Sequence, residues 1–171
     1  MIDESVYIAQ GAIVAGNVVI GENSSIWYNT VVRAELAKVS IGAHTNIQDL
    51  SMVHVDTDAP CIIGSRVSVG HRAILHGCVI EDDCLIGMGA ILLNHVHIGA
   101  GSVIGAGAVL TEGSVIPAGS VVIGIPGRVV KPVDEVLQDR IANTWNHYQK
   151  EAVKHRTGVI KIHPVSDISS S

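Results

Sequence analysis

The chain has 171 residues, of which 47% are hydrophobic and only 3% aromatic, and its formal net charge is −5. It contains no basic run and no interleaving of aromatic with basic residues, which argues against a nucleic-acid-binding protein. No apolar run approaches the length of a transmembrane helix and no signal-peptide pattern opens the sequence, so we expect no membrane segment and a cytoplasmic location.

An aliphatic residue recurs at every sixth position over most of the chain, and the phase of this repeat slips only three times. The anchor positions, all Ile, Val or Leu, are Ile8, Val14, Ile20, Ile26, Val32, Ile41, Ile47, Val53, Ile63, Val69, Leu75, Ile80, Ile86, Leu92, Ile98, Ile104, Leu110, Ile116 and Val122. Hexapeptide repeats of this kind build parallel β-helices. The repeat therefore predicts an all-β solenoid, and the scarcity of aromatic residues indicates a narrow core of branched aliphatic side chains.

The sequence divides into three segments. We expect a β-helix domain over residues 1–127, a C-terminal helix over 128–158 and a tail over 159–171. The phase slips indicate two inserts in the β-helix, at 34–38 and near 56–61. The second insert has the composition of a turn, so it should protrude from one corner as a short loop.

A helical period replaces the hexapeptide repeat after the solenoid. A proline at position 132, followed by acidic residues at 134 and 135, is typical of a helix start. Apolar residues then recur every three or four positions, at Val133, Leu137, Ile141, Trp145, Tyr148 and Ala152. This pattern predicts a helix whose apolar face packs along a flank of the solenoid.

The repeat also predicts which surface residues stack on one another. Three hexapeptides make one triangular coil, so anchors three rungs apart should lie about 4.8 Å apart, as neighbouring strands do. His54 and His76 each follow an anchor directly, and these anchors are three rungs apart. The two histidines should therefore occupy the same outward slot on consecutive coils. Arg33 occupies that slot one coil earlier, which completes a column.

A second column is expected on the preceding face. Asp49 and His71 both lie two residues after anchors that are three rungs apart, and Gln48 stands beside Asp49. One rigid coil cannot bring His71 to the first column, but a second copy of the chain packed alongside could do so. Repetition of that contact closes most simply as a trimer. Three imidazoles with one open position are the pattern of a catalytic zinc site. The alternative is that these histidines are ordinary surface residues.

The motifs that contain these residues resemble those of the γ-class carbonic anhydrases. They are Val32-Arg33-Ala34-Glu35, Asn46-Ile47-Gln48-Asp49, His54, Gly70-His71-Arg72-Ala73-Ile74-Leu75-His76-Gly77 and Ile86-Gly87-Met88-Gly89-Ala90. The resemblance covers nearly all of residues 8–150. It implies a left-handed parallel β-helix and a homotrimer with one metal site per subunit interface. His54 and His76 match the ligands from one subunit, and His71 matches the ligand from its neighbour.

The resemblance also implies a reaction and its participants. The reaction is the reversible hydration of CO2 to bicarbonate by metal-bound hydroxide. The metal is Zn²⁺, with Fe²⁺ and Co²⁺ as alternatives. Gln48 matches the residue that orients the metal-bound solvent, and Arg33 and Asp49 match an ion-pair set across the interface. Tyr148 resembles an aromatic residue found near some active sites of the family, although its spacing fits the apolar face of the helix equally.

Departures from the family pattern leave two alternative functions open. The usual Arg-x-Asp is Arg33-Ala34-Glu35 here, the next residue is Leu36, and no acidic loop that could shuttle protons follows His54. One alternative is therefore a metal-binding protein of this family without hydratase activity. The other is a hexapeptide-repeat acyltransferase that uses acyl-CoA, because residues 122–127 resemble the segment that ends the repeat in those enzymes.

Overall fold

Short parallel strands, most of them two or three residues long, follow one another around the axis of the protein. The computed structural model describes residues 1–163. Its strands are β1 (Tyr7–Ile8), β2 (Ile13–Ile20), β3 (Ser25–Ile26), β4 (Val31–Ile41), β5 (Asn46–Ile47), β6 (Met52–His54), β7 (Cys61–Ile63), β8 (Ser68–Val69), β9 (Ile74–His76), β10 (Val79–Ile80), β11 (Leu85–Ile86), β12 (Ile91–Leu92), β13 (His97–Ile98), β14 (Val103–Ile104), β15 (Val109–Leu110), β16 (Val115–Ile116), β17 (Ser120–Ile123) and β18 (Arg128–Pro132). One helix, α1 (Glu135–Arg156), follows them.

The strands form the three faces of a triangular solenoid. The first face stacks β1, β3, β5, β8, β11, β14 and β17 in parallel, in that order. The second face includes β6, β9, β12 and β15, and the third includes β7, β10, β13 and β16. Strands β2 and β4 are long enough to contribute to both of these faces. The fold is a left-handed parallel β-helix of about six turns, as predicted.

The anchor residues form the core. Every anchor from Ile20 to Val122 is buried, whereas Ile8 in the first coil is 41% exposed because no earlier coil covers it. Small polar residues four positions after an anchor turn the corners. The hydroxyls of Ser24 and Thr30, for example, donate to carbonyls of the next coil at 2.7 and 2.8 Å. These bonds join the corners of neighbouring coils.

The two inserts adopt different structures. Residues 34–38 continue strand β4, which pairs in parallel with β2 through a register shift between Gly16 and Val18. The first insert is therefore extended strand and not a loop. Near the second insert, Asp56 and Ala59 form an isolated antiparallel bridge, so this segment is a tight loop at a corner, as expected.

The C-terminal segment differs from the expected boundary at residue 128. Residues 128–132 form β18, which pairs antiparallel with β17, because consecutive valines favour a strand and Pro132 ends it. Helix α1 begins at Glu135, and Asp134 caps it by accepting a hydrogen bond from the Leu137 N–H at 3.0 Å. The expected tail begins at residue 159, and its residues 164–171 lie outside the described residues.

Helix α1 lies along the first face, which confirms the predicted packing. Ile141 and Ala152 are its buried residues. Near its start, Ile141 packs with Val103 and Val121 of that face, and near its end the Arg156 guanidinium donates to a main-chain carbonyl of the first coil. Its 22 residues span about 33 Å at about 1.5 Å per residue, close to the height of the stack. Residues 1–163 contain no helix long and apolar enough to cross a membrane.

Candidate metal centre

His54 and His76 stand side by side on the second face. They are paired in the register of β6 and β9, which is the stacking that the repeat predicts. Their ring centroids are 5.0 Å apart, and His54 Nδ1 lies 3.1 Å from His76 Nε2. Two imidazole nitrogens bound to one tetrahedral Zn²⁺ at about 2.0–2.1 Å lie about 3.3 Å apart. The separation of this pair therefore fits two ligands of one zinc ion.

The other ring nitrogen of His54, Nε2, is buried and is not the one that faces His76. This Nε2 atom has no hydrogen-bond partner among the described residues, although Glu35 Oε2 lies 3.4 Å away. Burial lowers the pKa of His54, and the positive charge of Arg33 and the neighbouring His76 lower it further. The lowered pKa favours the neutral imidazole, which is the form that binds metal.

His71 lies on the first face and is held at both ring nitrogens. Its Nδ1 is 2.8 Å from Asp49 Oδ2, and its Nε2 is 3.2 Å from the hydroxyl of Tyr148 on α1. A carboxylate accepts hydrogen bonds, so Nδ1 carries the proton and Nε2 is the bare nitrogen. Carboxylates commonly orient metal-binding histidines in this way. Burial raises the pKa of Tyr148 to about 12, so its hydroxyl stays protonated and donates to His71.

Gln48 is buried beneath His71. Its Oε1 accepts a hydrogen bond from the His71 backbone N–H at 3.2 Å, and its Nε2 donates to Asn46 Oδ1 at 3.0 Å. Asn46 in turn donates to Ser68 Oγ at 2.9 Å on the next coil. The Gln48 amide is thus fixed in orientation, and it retains one N–H and one oxygen lone pair beyond these bonds.

Arg33 forms its ion pair within the same strand. Its guanidinium contacts the carboxylate of Glu35, two positions later on β4, where both side chains point to the same side. Asp49 is paired with His71 instead. The longer acidic side chain at Glu35 therefore still reaches Arg33. The predicted pairing of Arg33 with Asp49 across an interface stays a prediction.

The six predicted site residues form two groups. Arg33, His54 and His76 share the second face, whereas Gln48, Asp49 and His71 share the first. Within residues 1–163, no three His, Cys, Asp or Glu side chains are grouped closely enough to hold a metal ion. One protomer thus presents two adjacent imidazoles on one face and a single oriented imidazole on another.

Asn94 is a partner of His76 that the hexapeptide repeat alone did not reveal. Asn94 Oδ1 lies 2.6 Å from His76 Nδ1, and the Asn94 amide donates to Asp56 Oδ2 at 3.2 Å. The available signal was positional, since Asn94 lies two residues after Leu92, whose strand pairs with that of Leu75.

A groove of about 400 Å³ lies between the first face and α1. Gln48 and Tyr148 line it from the metal-centre side, and Met88, Arg140 and Thr144 are among its other lining residues. The groove therefore connects the surroundings of His71 with the surface beside the helix.

Comparison with known proteins places the chain in a family. The model of the bacterial transferase hexapeptide (six repeats) family matches residues 1–34 and 77–112. A Methanocaldococcus jannaschii protein named "Probable carbonic anhydrase" is 49% identical over 135 residues, which cover 79% of this chain and 85% of that protein. The mitochondrial "Gamma carbonic anhydrase 2" of Arabidopsis thaliana is 43% identical over 116 residues, which cover 61% of this chain and 42% of that protein.

A solved structure agrees with this placement at the level of the fold. It is a Bacillus cereus protein provisionally described as an acetyltransferase, with a TM-score of 0.90 and 35% sequence identity, and the match covers 91% of both chains. The fold, the paired histidines and the curated relatives point to the same group of proteins. The chain belongs to the γ-class carbonic anhydrase family of hexapeptide-repeat proteins.

Proposed function

We propose that the protein is a zinc-dependent carbonic anhydrase that hydrates CO2 reversibly at the subunit interfaces of a homotrimer. The observation that carries this proposal is the 3.1 Å separation of the His54 and His76 nitrogens, which fits two ligands of one zinc ion. The names of the relatives, carbonic anhydrases at 43–49% identity, support the reaction.

The third ligand in this proposal is His71 of a neighbouring protomer. Within one chain His71 is on a different face from the pair, but Asp49 already holds it with Nε2 bare. A contact between the second face of one copy and the first face of the next is heterologous, and three such contacts close a ring. His54 and His76 of one subunit and His71 of its neighbour would then hold one zinc ion at each interface.

A bound zinc ion supplies a hydroxide nucleophile at neutral pH, because it lowers the pKa of water from about 15.7 to about 7. The residues of the chain have supporting tasks. Gln48 is fixed by Asn46 and the His71 backbone, so its remaining N–H or oxygen can orient a reacting solvent molecule or CO2. Asp49 holds the His71 ring in place. Arg33 and Glu35 lie beside His54, where they set the local charge.

The groove beside α1 supplies a route for the substrate. Its walls are mainly apolar, with Met88 among the lining residues and Gln48 at the end near His71. An apolar path suits CO2, which has no charge, better than it suits bicarbonate. Arg140, which also lines the groove, would attract bicarbonate, so the same groove can release the product.

Zinc analysis combined with a CO2 hydration assay tests the proposal. We expect one zinc ion per chain in the purified protein and a hydration rate that a chelator abolishes and added zinc restores. The variant His54→Ala should lose both zinc and activity. Stoichiometric zinc without chelator-sensitive hydration would favour the non-catalytic metal-binding alternative.

An acyltransferase function remains the second candidate. Its support is the Bacillus cereus structure, which is described as an acetyltransferase, and the end-of-repeat segment at residues 122–127. Such an enzyme would consume acetyl-CoA without any need for the paired histidines. Acetyl-CoA turnover that is insensitive to chelator and unchanged in His54→Ala would favour this candidate over carbonic anhydrase.

A further inference from the structure

A chain of hydrogen bonds extends from His76 to the second insert. His76 Nδ1 is 2.6 Å from Asn94 Oδ1, and Asn94 Nδ2 donates to Asp56 Oδ2 at 3.2 Å. We call these two residues, Asn94 and Asp56, the relay. His76 Nε2, on the opposite side of the ring, lies 3.1 Å from His54 Nδ1. The relay thus contacts Nδ1 of His76, the ring nitrogen that does not face His54.

The chemistry of Asp56 fixes the direction of every bond in this chain. Its carboxylate is ionised at neutral pH and can only accept hydrogen bonds. The Asn94 amide nitrogen must therefore face Asp56, which turns the Asn94 oxygen toward His76. An amide oxygen also only accepts, so His76 Nδ1 must carry the proton. In the neutral imidazole, Nε2 is then the bare nitrogen, and its lone pair is directed toward His54.

The insert and a glycine create the space for the relay. Asp56 is held by main-chain bonds of 3.1 and 3.2 Å with Ala59, and its other oxygen accepts from the Thr57 N–H at 2.8 Å. Gly77 has a φ of +56°, and a Cβ atom there would lie 2.5 Å from Asn94 Oδ1 and 2.6 Å from Ala59 Cβ. The absence of a side chain at Gly77 therefore lets both the loop and Asn94 approach His76.

We propose that Asn94 and Asp56 are positioning residues that hold His76 in the Nδ1-protonated tautomer, with Nε2 ready to bind the metal. This inference rests on the proposed function in one respect, because it takes His76 as a metal ligand. Asp56 acts through Asn94, and Asn94 acts through His76. The loop at the second insert thereby supports the metal centre, although no residue of the loop is itself a predicted ligand.

The tautomer of His76 can be measured without metal. Long-range ¹H–¹⁵N correlation spectra of the full-length, metal-free protein, labelled with ¹⁵N-histidine, distinguish protonated from bare ring nitrogens. We expect Nδ1 to be protonated and Nε2 bare in the wild-type protein at neutral pH. A wild-type spectrum in which the Nε2-protonated form of His76 predominates would overturn the proposal, whatever the protein catalyses.

Variants then test each member of the relay. Asn94→Ala should populate both tautomers of His76 and weaken zinc binding by about 10- to 100-fold, the usual effect of removing a residue that orients a metal ligand. The double exchange of Asp56→Asn with Asn94→Asp keeps a donor at one position and an acceptor at the other. It should restore the Nδ1-protonated tautomer and most of the zinc affinity.

Asp58→Asn is the matched control, because Asp58 is an exposed acid in the same loop. It should change neither the tautomer nor the zinc affinity. A His76 tautomer that is unchanged in Asn94→Ala would overturn the relay. A protein that binds zinc with the expected tautomer but does not hydrate CO2 would refute the proposed reaction and leave the relay intact.

Discussion

Opposite hydrogen-bonding partners hold the two ring nitrogens of His71. Asp49 accepts from Nδ1, and the Tyr148 hydroxyl donates to Nε2. A cation that takes Nε2 must displace the Tyr148 hydroxyl, which can turn away because it stays a neutral phenol. The Asp49 bond is unaffected by this exchange. His71 is therefore oriented before any metal or neighbouring subunit arrives, which reduces the cost of ordering the site.

Gln48 offers a residue-scale test of solvent positioning. We expect Gln48→Ala to retain zinc but to reduce CO2 hydration by at least about 10²-fold, as the loss of one positioned hydrogen-bond partner does in other active sites. Some loss of stability is also expected, because the His71 backbone N–H loses its partner. Zinc content and stopped-flow hydration rates are the measurements. An unchanged rate would exclude Gln48 from the reaction.

At the scale of elements, α1 joins the first coil to the last. Its early residues pack on Val103 and Val121, and Tyr148 near its middle reaches His71. Close to its C-terminal end, His155 Nδ1 lies 2.8 Å from the hydroxyl of Tyr28 in the first coils. The helix therefore couples the predicted metal ligand to the packing of the whole first face.

The variant Ile141→Ala tests how much the packing of α1 on the first face contributes to the free energy of unfolding. The side chain of Ile141 is 5% exposed, so Ile141→Ala should lower the free energy of unfolding by about 2–4 kcal/mol through lost contacts and a cavity. Val136→Ala on the same helix is the control, because Val136 is 77% exposed and its change should stay within about 0.5 kcal/mol. Denaturant unfolding measures both. Similar losses in the two variants would contradict the packing of α1 described above.

The cap of α1 predicts a pH dependence. The hydrogen bond from Lys131, followed by that from the Leu137 N–H, holds the pKa of Asp134 below its ordinary value of 3.8. A carboxyl whose pKa is lower in the folded state stabilises the fold above its unfolded pKa, and this contribution is lost as the pH falls through the folded pKa.

Asp134→Ala should therefore be less stable than wild type at neutral pH, and the difference should shrink below about pH 4. Denaturant unfolding over a pH series measures this difference. Asp134→Asn keeps a cap without the charge and serves as the comparison. A difference between wild type and Asp134→Ala that is independent of pH would show that the ionised carboxylate does not contribute.

At the scale of the whole molecule, the sequence predicted the solenoid well because one local rule repeats along it. A buried anchor every sixth residue specifies the coil, and the number of residues between anchors specifies which coils stack. The alignment of His54 with His76 follows directly from that count. The helix on the flank of the solenoid is predicted by a different spacing, with apolar residues every three or four positions.

Contacts that depend on the length of a side chain, and the structures of the inserts, could not be predicted from the repeat. The contact of Asn94 with His76 joins neighbouring coils and depends on the shape of the 56–60 loop and on the space at Gly77. Residues 34–38 looked like an insert, yet they extend β4 because β2 offers a matching strand edge. The strand at 128–132 forms because β17 is exposed at the end of the stack.

Metal removal tests the coupling of assembly to the site. If zinc joins subunits, binding stabilises the trimer by about 2.7 kcal/mol when free zinc is 100 times its dissociation constant. Chelation should therefore lower the thermal midpoint of the wild-type protein. The same chelator should have no effect on His71→Ala. Thermal unfolding measures both proteins. An equal fall of the thermal midpoint in the two would show that the stabilising zinc does not bind at His71.

Mixed trimers of His54→Ala and His71→Ala chains provide the most direct test of a site shared between subunits. Each variant alone should bind no zinc. In a mixed ring, one interface joins an intact His54–His76 pair to an intact His71. We therefore predict one zinc ion per mixed trimer, and hydration activity in proportion to the zinc that is bound. Mixed trimers of verified composition that bind no zinc would contradict the shared site, as would full zinc binding by either variant alone.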